Sequence, residues 1–109
     1  MTQDEQRDIL DDWHDLMNMK PAELEAWLDT EESRSACAML GQNGQLTALK
    51  VLELARLKPT DLTAAEWSKM REITFDIERT LAAGRPADLS QQAAWRYALM
   101  NCGHDPLRY

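Results

Sequence analysis

Cys102 and His104 lie two residues apart near the end of the chain and could carry covalent or metal chemistry. An imidazole can activate a thiolate nucleophile if a third group, here Asp105, orients the ring. A structural zinc site needs four ligands, normally in two clustered pairs. The other candidates, Cys37 and His14, are far from each other in the sequence. We therefore expect no metal, no cofactor and no catalysis, and a Cys/His enzyme is only a remote alternative.

The same C-terminal residues have a structural interpretation that we favour. His104 is expected to pin the C-terminal tail by hydrogen bonds, while Asp105 and Pro106 shape the turn that follows Gly103. His14 stands beside Asp15 on an acidic segment, and we interpret it as a surface residue.

Carboxylates are concentrated in the N-terminal third of the chain. Residues 1–35 hold eleven of the 19 acidic side chains and three of the 12 basic ones. Asp11, Asp12 and Asp15 lack the glycine and terminal glutamate of a calcium loop, so we expect no specific divalent cation site. The acidic face either keeps the protein in solution or contacts a basic partner. In the second case the partner-binding residues are Asp8, Asp11, Asp12 and Asp15.

Basic side chains are fewer, and the net charge of −7 argues against nucleic-acid binding by bulk electrostatics. A local patch could still form on or beside two central helices. Its members would be Lys50, Arg56, Lys58, Lys69, Arg71 and Arg79. The second of these helices also carries carboxylates at outward positions, which a helix lying in the major groove seldom does.

A helical hairpin over residues 45–83 is expected to position those bases. Its second arm starts with a capping box, in which Thr63 and Glu66 bond each other's backbone amides. Apolar residues then recur at steps of three and four. They are Trp67, Met70, Ile73, Ile77 and Leu81. Phe75 and Leu54 are left over as contact residues, and an exposed Phe75 would favour a protein partner or a homodimer.

The whole chain of 109 residues is predicted to be all-α, a compact single domain of about five helices around that hairpin. Acidic helices are predicted over residues 4–29 and a loop over residues 30–44, in which residues 36–40 could form one or two helical turns. A C-terminal helix and tail occupy residues 88–109. No apolar run approaches the roughly 20 residues of a membrane span. The acidic start is unlike a targeting peptide, so we expect a cytoplasmic protein.

Three stretches resemble a family of small bacterial proteins, also found in fungi, that is catalogued as a domain of unknown function. They are NMKPAELEAWL running into TEESRS (residues 18–28 and 30–35), DLT with Met70-Arg71 (residues 61–63 and 70–71), and WRYALMN with GHDPL (residues 95–101 and 103–107). The resemblance implies a compact helical fold without known catalytic residues. Members are often labelled DNA-binding proteins, so it also implies a nucleic-acid partner.

The chain departs from that family pattern in two places. The first hairpin arm is strongly basic in the family, whereas only Lys50, Arg56 and Lys58 remain here. The family commonly has tryptophan where this chain has Cys102, which implies a space-filling role for this side chain. Together these expectations describe a non-enzymatic, macromolecule-binding helical module. Nucleic acid is the partner by resemblance, and a protein or a second copy of the chain is the alternative.

Overall fold

The computed structural model describes residues 2–39 and 44–108, and over these residues the chain is helical and without strands. The all-α prediction is confirmed. Six α-helices follow one another, with one 3₁₀ turn, Pro59–Asp61, between the fourth and the fifth. They are α1 (Gln3–Leu16), α2 (Pro21–Leu28), α3 (Glu31–Met39), α4 (Gly44–Arg56), α5 (Ala64–Ala83) and α6 (Leu89–Asn101).

Side-chain caps fix where several helices begin. The capping box of α5 is confirmed: the Glu66 amide donates to Thr63 Oγ1 at 3.2 Å, and the Thr63 amide donates to Glu66 Oε1 at 3.0 Å. The Thr63 backbone hydrogen bond lowers the pKa of the Glu66 carboxyl. The Thr2 hydroxyl accepts from the Glu5 amide at the start of α1, and Asp88 accepts from the Ser90 amide at the start of α6. These polar residues therefore fix the first turns of the helices.

The hydrophobic core is formed where α1, α2, α4, α5 and α6 meet. The predicted stripe of α5 is buried at Trp67, Met70, Ile73 and Ile77. It packs chiefly on α1, whereas α4 packs on α3 and α2 as well as on α5. The remaining buried members of the core cluster are Ile9, Trp13, Leu16, Leu24, Val51, Leu54 and Leu99. The hairpin is thus central, but each of its arms has partners outside it.

Two sequence predictions are wrong in detail. Residues 31–39, predicted as mainly loop, form the helix α3. Thr30 caps this helix, because its Oγ1 accepts from the Ser33 amide at 3.2 Å. The polar residues that follow Thr30 therefore form the first turn of a helix rather than a loop. Leu54, predicted as a contact residue, is 2% exposed and belongs to the core. The described residues form six α-helices, in agreement with the prediction of about five.

Gly103 follows α6 with φ of +86°, a backbone conformation that L side chains rarely adopt. An added Cβ would lie 2.5 Å from Met17 Sδ and 3.5 Å from Val51 Cγ1. We expect Gly103→Ala to lower the free energy of unfolding by about 2 kcal/mol, from backbone strain and overpacking together. Urea denaturation followed by circular dichroism measures the loss.

Two comparisons separate those contributions. Gly84 has the same φ of +86° but no atom within 4 Å of an added Cβ, so Gly84→Ala should show only the backbone strain. In a Met17→Ala background the overlap is relieved, and Gly103→Ala should cost less than it does in the parent chain. Equal costs in both backgrounds would contradict the overlap with Met17.

Candidate functional site

The C-terminal tail is attached to the first two helices by buried hydrogen bonds. His104 is fully buried, and its Nδ1 donates to the Leu16 carbonyl, 2.7 Å away, at the end of α1. The Asp105 amide donates to Asn18 Oδ1 at 2.7 Å, and Asn18 Nδ2 donates to the Asp105 carbonyl at 2.8 Å. The predicted role of His104 in pinning the tail is confirmed. We call the bonds that join residues 104–108 to Leu16, Asn18 and α2 the C-terminal clasp.

The Asp105 carboxylate faces α6. Arg96 Nε donates to Asp105 Oδ1 and Arg96 Nη2 to Oδ2, both at 3.1 Å, which is the paired geometry that suits a guanidinium. The Leu107 amide donates to Oδ1 at 3.1 Å and shapes the turn, as expected. The Arg96 hydrogen bonds hold the pKa of Asp105 below its ordinary value, against the opposing effect of burial. The ionised Asp105 carboxylate therefore holds the tail against α6. The carbonyl of Leu16 orients the His104 ring.

Arg108 completes the clasp at the surface. Its Nη2 donates to Glu23 Oε2 at 2.5 Å, and its Nη1 donates to the Asn18 carbonyl at 3.1 Å. The Arg108 hydrogen bond lowers the pKa of the Glu23 carboxyl. The same carboxylate accepts from the Lys20 amide at 3.3 Å at the start of α2. Glu23 thus links the tail to the first turn of α2.

A second polar network joins α2, α3 and α6 inside the fold. Asn101 Oδ1 accepts from Trp27 Nε1 at 2.7 Å and from Ser33 Oγ at 2.6 Å. Its Nδ2 donates to the Ser33 carbonyl at 3.2 Å. The Trp27 ring also lies against Tyr97, with centroids 5.2 Å apart. Asn101 is 2% exposed, so this amide is a buried junction of three helices.

Metal-binding groups do not cluster in the part of the chain that the structure describes. Among those residues, no three side chains of His, Cys, Asp or Glu are placed to hold one ion. Cys102 is half-buried and packs against the core cluster, as a space-filling side chain would. The Cys37 side chain lies outside the described part. None of the described helices is long and apolar enough to cross a membrane.

The predicted nucleic-acid residues are mostly engaged by carboxylates. Lys50 Nζ lies 3.4 Å from Glu53 and 3.8 Å from Glu66. Three more of these predicted bases form ion pairs: Arg56 with Glu25, Lys69 with Glu72 at 3.4 Å, and Arg79 with Asp76 at 2.6 Å. Lys58 is exposed beside the 3₁₀ turn and has no ion pair with any described residue. Four of the six bases thus have anionic neighbours that phosphates would have to displace.

Arg71, the sixth base, lies in a different setting, a groove between α1 and α5. We call this groove, which encloses about 150 Å³, the acidic groove. Its lining residues are Glu5, Asp8, Ile9, Asp12, Arg71, Thr74, Phe75 and Glu78. Four carboxylates and one guanidinium therefore surround Phe75, whose side chain is 63% exposed.

The structure divides the four acidic residues predicted to bind a partner. Asp8 and Asp12 line the acidic groove, one helical turn apart on α1. Asp11 and Asp15 are exposed on the same helix but do not line it. Sequence reasoning identified Phe75 from its position off the α5 stripe. It missed Glu5 and Glu78, because only the packing of α1 on α5 brings them together.

A family model described as "Protein of unknown function (DUF3140)" matches residues 12–100. The chain belongs to this family. No curated protein and no solved structure matches it. The matched residues include the first two stretches that carry the resemblance and the part of the third stretch up to residue 100. The DNA-binding label stays a prediction, since the family description states no function.

Proposed function

We propose that this protein is a non-enzymatic interaction module whose acidic groove binds a basic, amphipathic segment of a partner protein. The observation that carries the proposal is the exposed Phe75, held between α1 and α5 and surrounded by Glu5, Asp8, Asp12 and Glu78. An apolar side chain of the partner would pack on the ring. Lysine or arginine side chains beside it would pair with the carboxylates.

Charge favours a basic partner over a second copy of this chain. The acidic groove carries a clear excess of carboxylates, and the chain as a whole carries −7. Two identical grooves would repel each other, whereas a lysine-rich helix is attracted before contact. A helix laid in a groove, with one apolar face and a charged rim, is a common mode of peptide recognition. The groove is small, so we expect a moderate affinity governed by Phe75.

The ion pairs of the described basic side chains favour a protein partner over nucleic acid. A nucleic-acid surface needs clustered Lys and Arg that are available for phosphates. Lys50, Arg56, Lys69 and Arg79 are instead paired with carboxylates, and Arg71 faces the acidic groove. Nucleic-acid binding is therefore the second candidate and rests on the labels of the family that the sequence resembles.

Peptide binding tests the proposal. A fluorescein-labelled helical peptide of lysine and leucine, with one apolar face, is titrated with the protein and followed by fluorescence anisotropy. We expect saturable binding that weakens as salt rises. Phe75→Ser should weaken it at least about fivefold, since a central anchor contributes more than about 1 kcal/mol. Phe75 is exposed, so its substitution should leave the fold intact.

A pair of charge-matched variants locates the binding face. Asp8→Lys with Asp12→Lys reverses two charges that line the groove, and should weaken peptide binding about tenfold. Asp11→Lys with Asp15→Lys makes the same change in net charge on the same helix, outside the lining. At about 0.15 M salt, where charges are screened beyond about 8 Å, this control should change the affinity less than about twofold. Equal losses in both variants would refute the groove as the site.

A nucleic-acid titration discriminates the second candidate. Under the proposal, a labelled DNA duplex of random sequence should show no change of mobility with the protein at low salt. Binding that falls steeply with salt, and that is lost in Lys58→Glu, would support the nucleic-acid module instead. Phe75→Ser should not affect such binding, so the two results are separable.

A further inference from the structure

A second groove, larger and apolar, lies on a different side of α1. It encloses about 460 Å³ between the second half of α1, the start of α2, the end of α4 and the 3₁₀ turn. Its floor includes Trp13, Leu54 and Met70, all of them buried core residues. Leu10, Met17 and Leu57 form its sides. This volume is in the range of small-molecule sites, and the lining is predominantly apolar, as in such sites.

Lys20 is the one formally charged side chain among the described residues that line this apolar groove. Lys20 and His14 are its ionisable lining residues, and no carboxylate lines it, although the chain has 19 acidic side chains. Glu23 follows Lys20 in the first turn of α2, but its carboxylate is held by Arg108 at 2.5 Å. The remaining polar side chain, Asn18, is committed to the Asp105 backbone. The Lys20 ammonium is therefore the group that selects the charge of a ligand.

We propose that the apolar groove binds a small apolar carboxylic acid, such as a medium-chain fatty acid. The hydrocarbon chain would lie against Trp13 and Leu57, and the carboxylate would face Lys20. Burial of the chain supplies most of the affinity, and the ammonium supplies the preference for an anion. This site is separate from the acidic groove, which lies along other positions of α1. The two proposals can therefore fail independently.

Three ligands with the same hydrocarbon chain test the charge preference by isothermal titration calorimetry below their micelle concentrations. They are decanoate, decanol and decyltrimethylammonium. We expect decanoate to bind about two- to fivefold more tightly than decanol, as for a half-exposed ion pair. The ammonium compound should bind most weakly. Binding of the cation as tight as that of decanoate, or no binding of decanoate at all, would refute the proposal.

Substitutions then assign the binding to this groove. Lys20→Met should remove the preference for decanoate and leave decanol binding unchanged within about twofold. Lys69→Met, at a lysine of α5 outside the lining, is the matched control and should keep the preference. Ala55→Phe should block the groove for both ligands, and Leu57→Trp is a second blocking variant if the first does not fold. Unchanged binding in a folded blocking variant, or a preference that survives Lys20→Met, would overturn the assignment.

Discussion

Asn101→Leu is expected to lower the free energy of unfolding by about 3 kcal/mol. The leucine has a similar volume but cannot bond to Trp27 Nε1, Ser33 Oγ or the Ser33 carbonyl. Each buried polar group that loses its partner costs about 1–3 kcal/mol. Ser33 is 1% exposed, so water does not readily replace the amide there. Chemical denaturation with circular dichroism detection measures the loss, which is a large part of the stability of a domain this size.

A double-mutant cycle shows whether the loss comes from this network. Ser33→Ala alone removes one donor and leaves Asn101 bonded to Trp27, so it should cost about 1 kcal/mol. In the Ser33→Ala background, Asn101→Leu should cost less than in the parent chain, because the Ser33 hydroxyl is no longer orphaned. A loss below about 1 kcal/mol for Asn101→Leu, or strict additivity, would show that the network contributes little to stability.

The sequence predicts the long helices well because their signals are local. The capping box of Thr63 and Glu66 and the apolar stripe that begins at Trp67 both lie within α5, and the structure contains both. α3 was missed because its polar start, residues 31–35, resembles a loop. Leu89, at the start of α6, is 80% exposed although it is a large apolar residue, since α6 has no well-defined apolar face. Weakly amphipathic helices are thus the least predictable part.

The candidate sites depend on contacts between distant residues, which composition does not encode. The bases Lys50 and Arg56 are visible in the sequence, but their pairing with Glu66 and Glu25 appears only when α4 packs on α5 and α2. Similarly, no periodicity of a single helix distinguishes Asp8, which lines the acidic groove, from Asp11, which does not. The apolar groove combines residues of four elements and has no motif at all.

The stretches that carry the family resemblance lie together in the structure. Asn18 and Trp27, from the first stretch, bond to Asp105 and Asn101, from the third. Arg96, also from the third, binds Asp105. These contacts join the C-terminal residues to α2, to α6 and to the link between α1 and α2. The first and third stretches therefore attach the tail, and Asn18, Lys20 and Pro21 of the first stretch also line the apolar groove.

Arg96→Met is expected to lower the free energy of unfolding at neutral pH by about 2–3 kcal/mol. It leaves the Asp105 carboxylate, whose side chain is 5% exposed, with the Leu107 amide and with Arg108 at 3.7 Å. Removing one partner of a buried ion pair costs about 3–5 kcal/mol. The loss expected here is smaller because Arg108 remains near the Asp105 carboxylate and because the Arg96 side chain is itself 37% exposed. Arg79→Met, which breaks the exposed pair with Asp76, is the control and should cost less than about 1 kcal/mol.

The pH dependence identifies the carboxylate as the cause. In the parent chain the pKa of Asp105 is lowered by Arg96, so its stabilisation is complete above the pKa of the unfolded chain, about 4. That stabilisation is lost as the pH falls through the lower pKa of the folded state. In Arg96→Met the pKa of Asp105 should rise, so the difference in stability between parent and variant should narrow as the pH falls from the raised pKa of the variant to the lower pKa of the parent. Asp105→Asn in the Arg96→Met background should recover part of the loss at neutral pH, since a neutral amide is less costly to bury than an unpaired carboxylate. A difference that stays constant from neutral to acidic pH would show that Arg96 acts through packing rather than through the charge of Asp105.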